Sequence, residues 1–370
     1  MSSNRNILSR RAVIAAGPIA MAGFGLAATA ANSAAPARAR LSLNENPFGP
    51  SPLAVKAIQS HAAEVARYTD EASASSLALQ IAAREKVSVE QIVLGELLEP
   101  LGAQLSIEGG PGGEFVYSTP GYTALVDAAA QFGGVAVPVP LDAQMQNDLP
   151  RIKAAINERT RAVFLVNPHN PTGTVSDDKA FKEFLADVSR QALVIVDEAY
   201  LDFTSDFAAR TAVSLTQGGA DVMVFRTFGK LYGLAGLQIG YAVVPLKRVQ
   251  PLRKQGLGFY RSLSSLGVAA ASASLRDENF VAQVRNTVSA ERRLWHTLLD
   301  QMKARYADSR GNFVFFETKR PHKEVAEVLL REGVEIGRSF EPYDQWVRIS
   351  IGLPNENALA REAVRKLMRG

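Results

Sequence analysis

The chain has 370 residues, 47% of them hydrophobic and 21% charged, as expected of an ordinary globular protein with a substantial core in one large domain or two. Its formal charge of +4 is matched by Arg5, Arg10, Arg11 and Arg38 in an N-terminal stretch without acids, so the remainder is neutral and no nucleic-acid partner is expected. Cysteine is absent, which excludes disulfides and thiolate metal sites, and no metal is expected.

The first element is a leader, "SRRAVIAAGPIAMAGFGLAATAANSAAPARA". A paired arginine, a mildly apolar run and a small-residue site follow one another in the order of an export signal, with Ala37, Arg38 and Ala39 as an A-x-A cleavage candidate over residues 1–39. The twin arginines Arg10 and Arg11 point to the route that carries folded cargo, hence to the periplasm or beyond. An uncleaved anchor is the alternative, since residues 12–31 are nearly uncharged, but alanine and glycine make a poor span for a hydrocarbon layer about 30 Å thick. Once the leader is removed, no stable membrane association is expected.

After it, strand-length apolar runs alternate with helical stretches. "RAVFLVNP" (161–168), "ALVIVDEAY" (192–200) and "DVMVFRTF" (221–228) are apolar throughout rather than alternating, and "DDKAFKEFLADVSRQ" between the first two has helical periodicity. Such strands belong to an α/β fold whose mostly parallel sheet is covered on both faces. The last third differs: amphipathic helices are expected at about 277–306, 321–332 and 355–369, around the short strands "NFVFFE" and "WVRISIG". The division that follows is a large domain over 67–270 and a smaller α+β domain over 271–370, joined by the segment 40–66.

Open α/β sheets place ligands beyond their strand ends. Three successive apolar runs here end in Asn170, in Asp197 with Tyr200, and in Lys230. Singly, each has a plain reading: an aspartate after a strand caps a helix or accepts a structural hydrogen bond, and a lysine in a glycine-rich loop is solvated. Together they bring an amide, a carboxylate, a phenol and an amine to one sheet edge. A desolvated lysine forms a Schiff base with an aldehyde cofactor, and a buried carboxylate keeps a pyridine nitrogen protonated.

Seven segments, "LSLNENPFGPSP" (41–52), "RYTD" (67–70), "STPGYTALVDAA" (118–129), "VNPHNPTGT" (166–174), "VDEAYLDF" (196–203), "FRTFGKLYGLAGLQIGY" (225–241) and "WVRISIGLPNEN" (346–357), give the chain its resemblance to class I/II pyridoxal-phosphate (PLP) aminotransferases of fold type I. The subgroup it resembles most is histidinol-phosphate aminotransferase. The resemblance implies a large domain with a mixed, mostly parallel seven-stranded sheet plus a smaller α+β domain. It also implies PLP as cofactor, with Lys230 as the Schiff-base lysine and proton shuttle, and Asp197 on the pyridinium nitrogen. Asn170 and Tyr200 would hold the phenolic oxygen, Tyr122 would stack on the ring, and Thr227 would bind the cofactor. Arg348 would clamp the substrate carboxylate, with Arg338 as a second anion-binding group and Asn46 as a further substrate-binding residue. Tyr68 would reach across from a partner subunit toward the cofactor phosphate, which makes a homodimer the expected working unit. The partners would be an amino donor and a keto-acid acceptor.

The departures from the resemblance cluster on the cofactor phosphate. Where the family has a small, polar turn ahead of a helix N-terminus, this chain reads "GELLEP" (95–100); Gly229 replaces a serine and Gln238 an arginine. A phosphate deprived of a charge-assisted hydrogen bond is held less tightly by about 1.5–3 kcal/mol for each. Three outcomes stay open at this point: transamination; decarboxylation, racemisation or oxidation on the same cofactor; and a degenerate, non-catalytic member. An exported protein is also not expected to serve phosphorylated biosynthetic intermediates kept inside the cell.

Overall fold

A computed structural model describes residues 38–369. The expected leader lies outside the described residues, apart from Arg38 and Ala39. The first strand, β1, is Ala39–Leu41, followed by β2 (Ile92–Leu94), β3 (Glu114–Thr119), β4 (Val135–Pro140), β5 (Thr160–Val166), β6 (Leu193–Asp197), β7 (Val222–Thr227) and β8 (Gly240–Val243). Strands β2 to β8 form one seven-stranded sheet in the order β2-β8-β7-β6-β5-β3-β4. The ladder from β4 through β7 is parallel, and β8 runs against both its neighbours, β7 and β2. The mixed, mostly parallel seven-stranded sheet expected from the sequence is therefore the one that forms.

The continuous apolar runs have a direct cause. Val163, Leu165, Val194, Val196, Val222 and Val224 point into one core, while Phe164, Val166, Leu193, Ile195, Met223 and Phe225 point into a second core on the other face. A strand covered on both sides needs apolar residues at both parities. Each fully buried aliphatic or aromatic side chain contributes about 1.5–3 kcal/mol. The helix Asp178–Val188 supplies part of the cover. Its Asp177 cap accepts from the Ala180 amide, and it buries Phe181, Leu185 and Val188. Strand β4, at the sheet edge, is largely exposed and carries Pro138 and Pro140, which cannot donate to another strand.

The rest of the chain builds two smaller sheets. Strand β1 pairs in parallel with β10 (Val334–Ile336), after β9 (Phe313–Glu317) in the chain; β9 pairs antiparallel with β11 (Trp346–Ser350). Helices Glu278–Gln301, His322–Arg331 and Pro354–Arg369 surround them, close to the spans read from amphipathic periodicity. No helix among the described residues is long and apolar enough to cross a membrane. Among the same residues, no group of three or more histidine, aspartate or glutamate side chains is placed to hold a metal ion.

Candidate active site

Strands β5, β6 and β7 are neighbours and parallel, so their carboxyl ends lie side by side and the loops after them meet at one edge. Asp197 is the last residue of β6 and is 6% exposed. Its Oδ1 accepts from the Ala199 amide at 2.9 Å, and no described cation forms an ion pair with it. Burial raises its pKa to about 6, helped by the nearby Glu96 and opposed by the Ala199 amide and Lys230.

Asn170 and Tyr200 stand beside it. The Asn170 Nδ2 donates to the Tyr200 hydroxyl oxygen at 3.4 Å, and the same oxygen accepts from Asn44 Nδ2 at 3.2 Å. The Tyr200 ring is buried edge-on against Phe313 of β9, centroids 5.1 Å apart, so its hydroxyl has little freedom to leave. Lys230 lies three residues beyond β7, with its Nζ 5.8 Å from the Tyr200 ring centroid and donating to the Leu43 carbonyl at 3.3 Å. The turn after it closes on the N-terminal segment: Gly233 has φ +71°, and a Cβ there would sit 2.4 Å from the Gly49 carbonyl oxygen, so only glycine fits.

Arg348 enters from β11. It is 7% exposed; Nη1 donates to Asn170 Oδ1 at 2.6 Å and Nη2 to the Ser42 carbonyl at 2.9 Å. Nε has no partner, and the guanidinium lies 5.0 Å from the Phe340 ring. No carboxylate pairs with it among the described residues, and burial lowers its pKa. Arg338 also lies over Phe340, 4.3 Å from the ring centroid, close enough for its charge to be felt at Arg348.

Other expected residues are less central. Tyr122 borders the site and is 41% exposed; burial, and then the Asp197 charge, raise its pKa. Thr227 ends β7, accepting the Gly229 amide at 3.0 Å and donating to Glu96 Oε1 at 3.2 Å. Tyr68 is 82% exposed and has no hydrogen bond to these side chains. Asn46 spends its amide on the main chain: Nδ2 donates to the Leu231 carbonyl at 2.7 Å and Oδ1 accepts from the Phe48 amide at 3.0 Å. It holds the N-terminal segment to the Lys230 loop, and the asparagine that faces Tyr200 is Asn44.

Sequence pattern alone does not single out Asn44. Its φ of +55° turns the chain so that its amide meets Tyr200 while Ser350 Oγ bonds both its amide N–H and its Oδ1. Asparagine tolerates that left-handed geometry, which is the signal the segment "LSLNEN" carries. His169, within "NPHNPTGT", is likewise missed by sequence reasoning. It is wholly buried, Nε2 has no partner, and burial lowers its pKa to about 3, so it is a neutral imidazole.

The donor set suits a flat heteroaromatic aldehyde. A buried, unpaired carboxylate fits a protonated ring nitrogen; the Asn170 and Tyr200 pair fits a ring oxygen; and an amine stands within reach for imine formation. The ring end of PLP therefore fits. At the other end, the helix Leu98–Gly109 begins without a side-chain cap, and a carboxylate rather than a cation sits against Thr227.

Residues 39–367 match the family described as aminotransferase class I and II. A histidinol-phosphate aminotransferase of Limosilactobacillus fermentum is 35% identical over 333 residues, 88% of this chain and 90% of that one. An aromatic amino acid aminotransferase of Cutibacterium acnes is 34% identical over 332 residues, 90% and 93% of the two chains. The crystal structure of histidinol-phosphate aminotransferase from Sinorhizobium meliloti in complex with pyridoxal-5'-phosphate superposes with a TM-score of 0.81 at 27% identity, covering 90% of this chain and 92% of that one. From its first strand into its last helix, then, the chain belongs to the class I and II aminotransferases, enzymes of the PLP fold type I.

Proposed function

We propose that this PLP-dependent aminotransferase takes nitrogen from a carboxylate-bearing amino acid or related amine, in the manner of the histidinol-phosphate and aromatic subgroups, and delivers it to a keto acid. One observation carries the reading: Arg348 is buried, bonded only to neutral acceptors, and without an acid partner among the described residues. A guanidinium so placed is ready to receive a carboxylate through its planar fork. When bound, PLP supplies the electron sink for the pair left behind as a proton leaves the substrate carbon next to nitrogen. Lys230 then carries that proton on Nζ, Asp197 keeps a proton on the ring nitrogen, and Asn170 with Tyr200 holds the ring oxygen. Arg348 orients the substrate carboxylate, with Arg338 beside it.

The working unit in this reading is a homodimer. The side chains of Leu43, Val65, Tyr68 and Phe259 are large, apolar and at least half exposed or close to it in the single chain, and Leu43 is the residue whose carbonyl holds Lys230. Tyr68 on this surface would enter the partner's site. The twin-arginine leader would carry the protein out already folded and loaded, and its amino donor would be one found outside the cytoplasm.

The test is direct. Purified protein should be yellow and bleach with borohydride, and mass spectrometry should find the reduced adduct on Lys230. Amino transfer should be measured across a panel of donors and keto acids, with peroxide, carbon dioxide and racemised amino acid assayed in parallel. Lys230→Ala should be colourless and inactive; turnover retained in that variant would end the proposal.

A further inference from the structure

The charge at the ring end of the pocket suits a protonated pyridine, and the charge at the far end does not suit a phosphate. At the far end, Glu96 is the second residue before the helix Leu98–Gly109, whose first turn has no side-chain cap. Its Oε1 accepts from Thr227 Oγ1 at 3.2 Å, and that same threonine oxygen takes the Gly229 amide. A Cβ built on Gly240 would lie 3.2 Å from the same Oε1, so the carboxylate is seated against the start of β8 as well as the end of β7. Part of the side chain is exposed, yet burial raises its pKa above the ordinary range, with Thr227 and Lys230 opposing.

The charges around this seat have the wrong sign for a dianion. Glu96 is within electrostatic reach of both Glu99 and Asp197, and Lys230 is the cation that Glu96 and Asp197 share. Gln238, left-handed at the end of the short turn Ala235–Leu237 and eight residues beyond Lys230, carries no charge. A helix N-terminus attracts an anion, and here the chain places the Glu96 carboxylate two residues ahead of one, bonded to Thr227 rather than to the helix amides.

We propose that the Glu96 carboxylate takes the seat at the start of helix Leu98–Gly109 in which a cofactor phosphate would be received. PLP is then held by its ring and by Lys230, its phosphate adds little, and an unphosphorylated pyridoxal-type aldehyde is accepted nearly as well. The inference rests on the cofactor reading given above. It goes further by assigning Glu96 as the residue that sets which aldehyde the pocket keeps.

Titration of the cofactor-free mature protein with PLP and with pyridoxal tests it, following imine absorbance and borohydride-fixed adduct at Lys230. The two aldehydes should bind within roughly tenfold of each other, about 1.4 kcal/mol. Glu96→Gln keeps the volume and removes the charge, and should tighten PLP by roughly tenfold or more while moving pyridoxal by less than about twofold. Gln238→Arg adds a cation and should act in the same direction, which guards against a folding defect in either variant. A wild-type preference for PLP of about a thousandfold or more, or two variants that leave PLP affinity unchanged, would overturn the assignment of Glu96. If neither aldehyde can be fixed on Lys230, the cofactor reading fails and this inference with it.

Discussion

Arg348 donates to the Asn170 side-chain oxygen across 2.6 Å, and this hydrogen bond joins β11 to the loop that follows β5. Asn170 also bonds Tyr200, so in the proposed reading a substrate carboxylate arriving at Arg348 would be felt by the residues assigned to the cofactor ring. Replacing Arg348 by lysine would keep the charge and remove the fork. The KM for carboxylate-bearing donors should rise by roughly 10- to 150-fold, the equivalent of about 1.5–3 kcal/mol for a charge-assisted hydrogen bond. Steady-state kinetics with an amino acid and its decarboxylated amine give the check, since the amine should be nearly indifferent to the change.

Asp197 makes the cofactor-free protein sensitive to pH. Its folded pKa is about 6 against an ordinary 3.8, so the folded state holds the proton more tightly than the unfolded one between those values. The stability this provides is fully present below pH 3.8 and is lost as pH rises through about 6. The loss is on the order of 3 kcal/mol for a shift of this size. Asp197→Asn should remove it: the gap between the urea midpoints of the two cofactor-free proteins should open as pH rises from 3.8 to about 6, in the direction that favours the variant, and hold steady above that. A gap between them that does not change with pH would refute the account.

A buried charge cluster lies beneath the site. Arg226 on β7 forms ion pairs with Glu198 at 2.8 Å, Asp202 at 3.3 Å and Glu85 at 3.7 Å. Burial raises the Glu198 pKa to about 7, opposed first by Arg226 and then by the Ala212 amide and the Thr211 hydroxyl. Removing Arg226 leaves Glu85 and Asp202 to Arg84, and Glu198 without a cation among the described residues. Arg226→Met should cost about 3–5 kcal/mol, read from a denaturant midpoint, because the acids stay buried without compensation.

Export is testable without the enzyme's substrate. Replacing Arg10 and Arg11 together by lysine should strand the protein inside the cell, as fractionation and immunoblotting would show. Unchanged export would remove the twin-arginine route.

Much of this architecture is legible in the sequence because buried parallel strands have no exposed parity: β5, β6 and β7 read as unbroken apolar runs and fall within three residues of where they form. Lys230, Asp197, Asn170 and Tyr200 follow from the same runs, since they are what comes next. Strand β4 is harder to see, because its prolines argue against a strand and only an edge position tolerates them. The choice between Asn44 and Asn46 depends on one left-handed residue, and no pattern of hydrophobicity encodes that. Glu96 is visible as a departure from the resemblance. Its seat against Thr227 depends on β8 lying between β2 and β7, which is a matter of sheet order.

The pairing of β1 with β10 also dictates an order of assembly. Arg38 donates to the Glu332 carbonyl, a partner 294 positions away, and the Ala39 amide bonds Gly333. A ribosome must deliver nearly the whole polypeptide before its own beginning has anything to zip onto, so the N-terminal edge is fastened last.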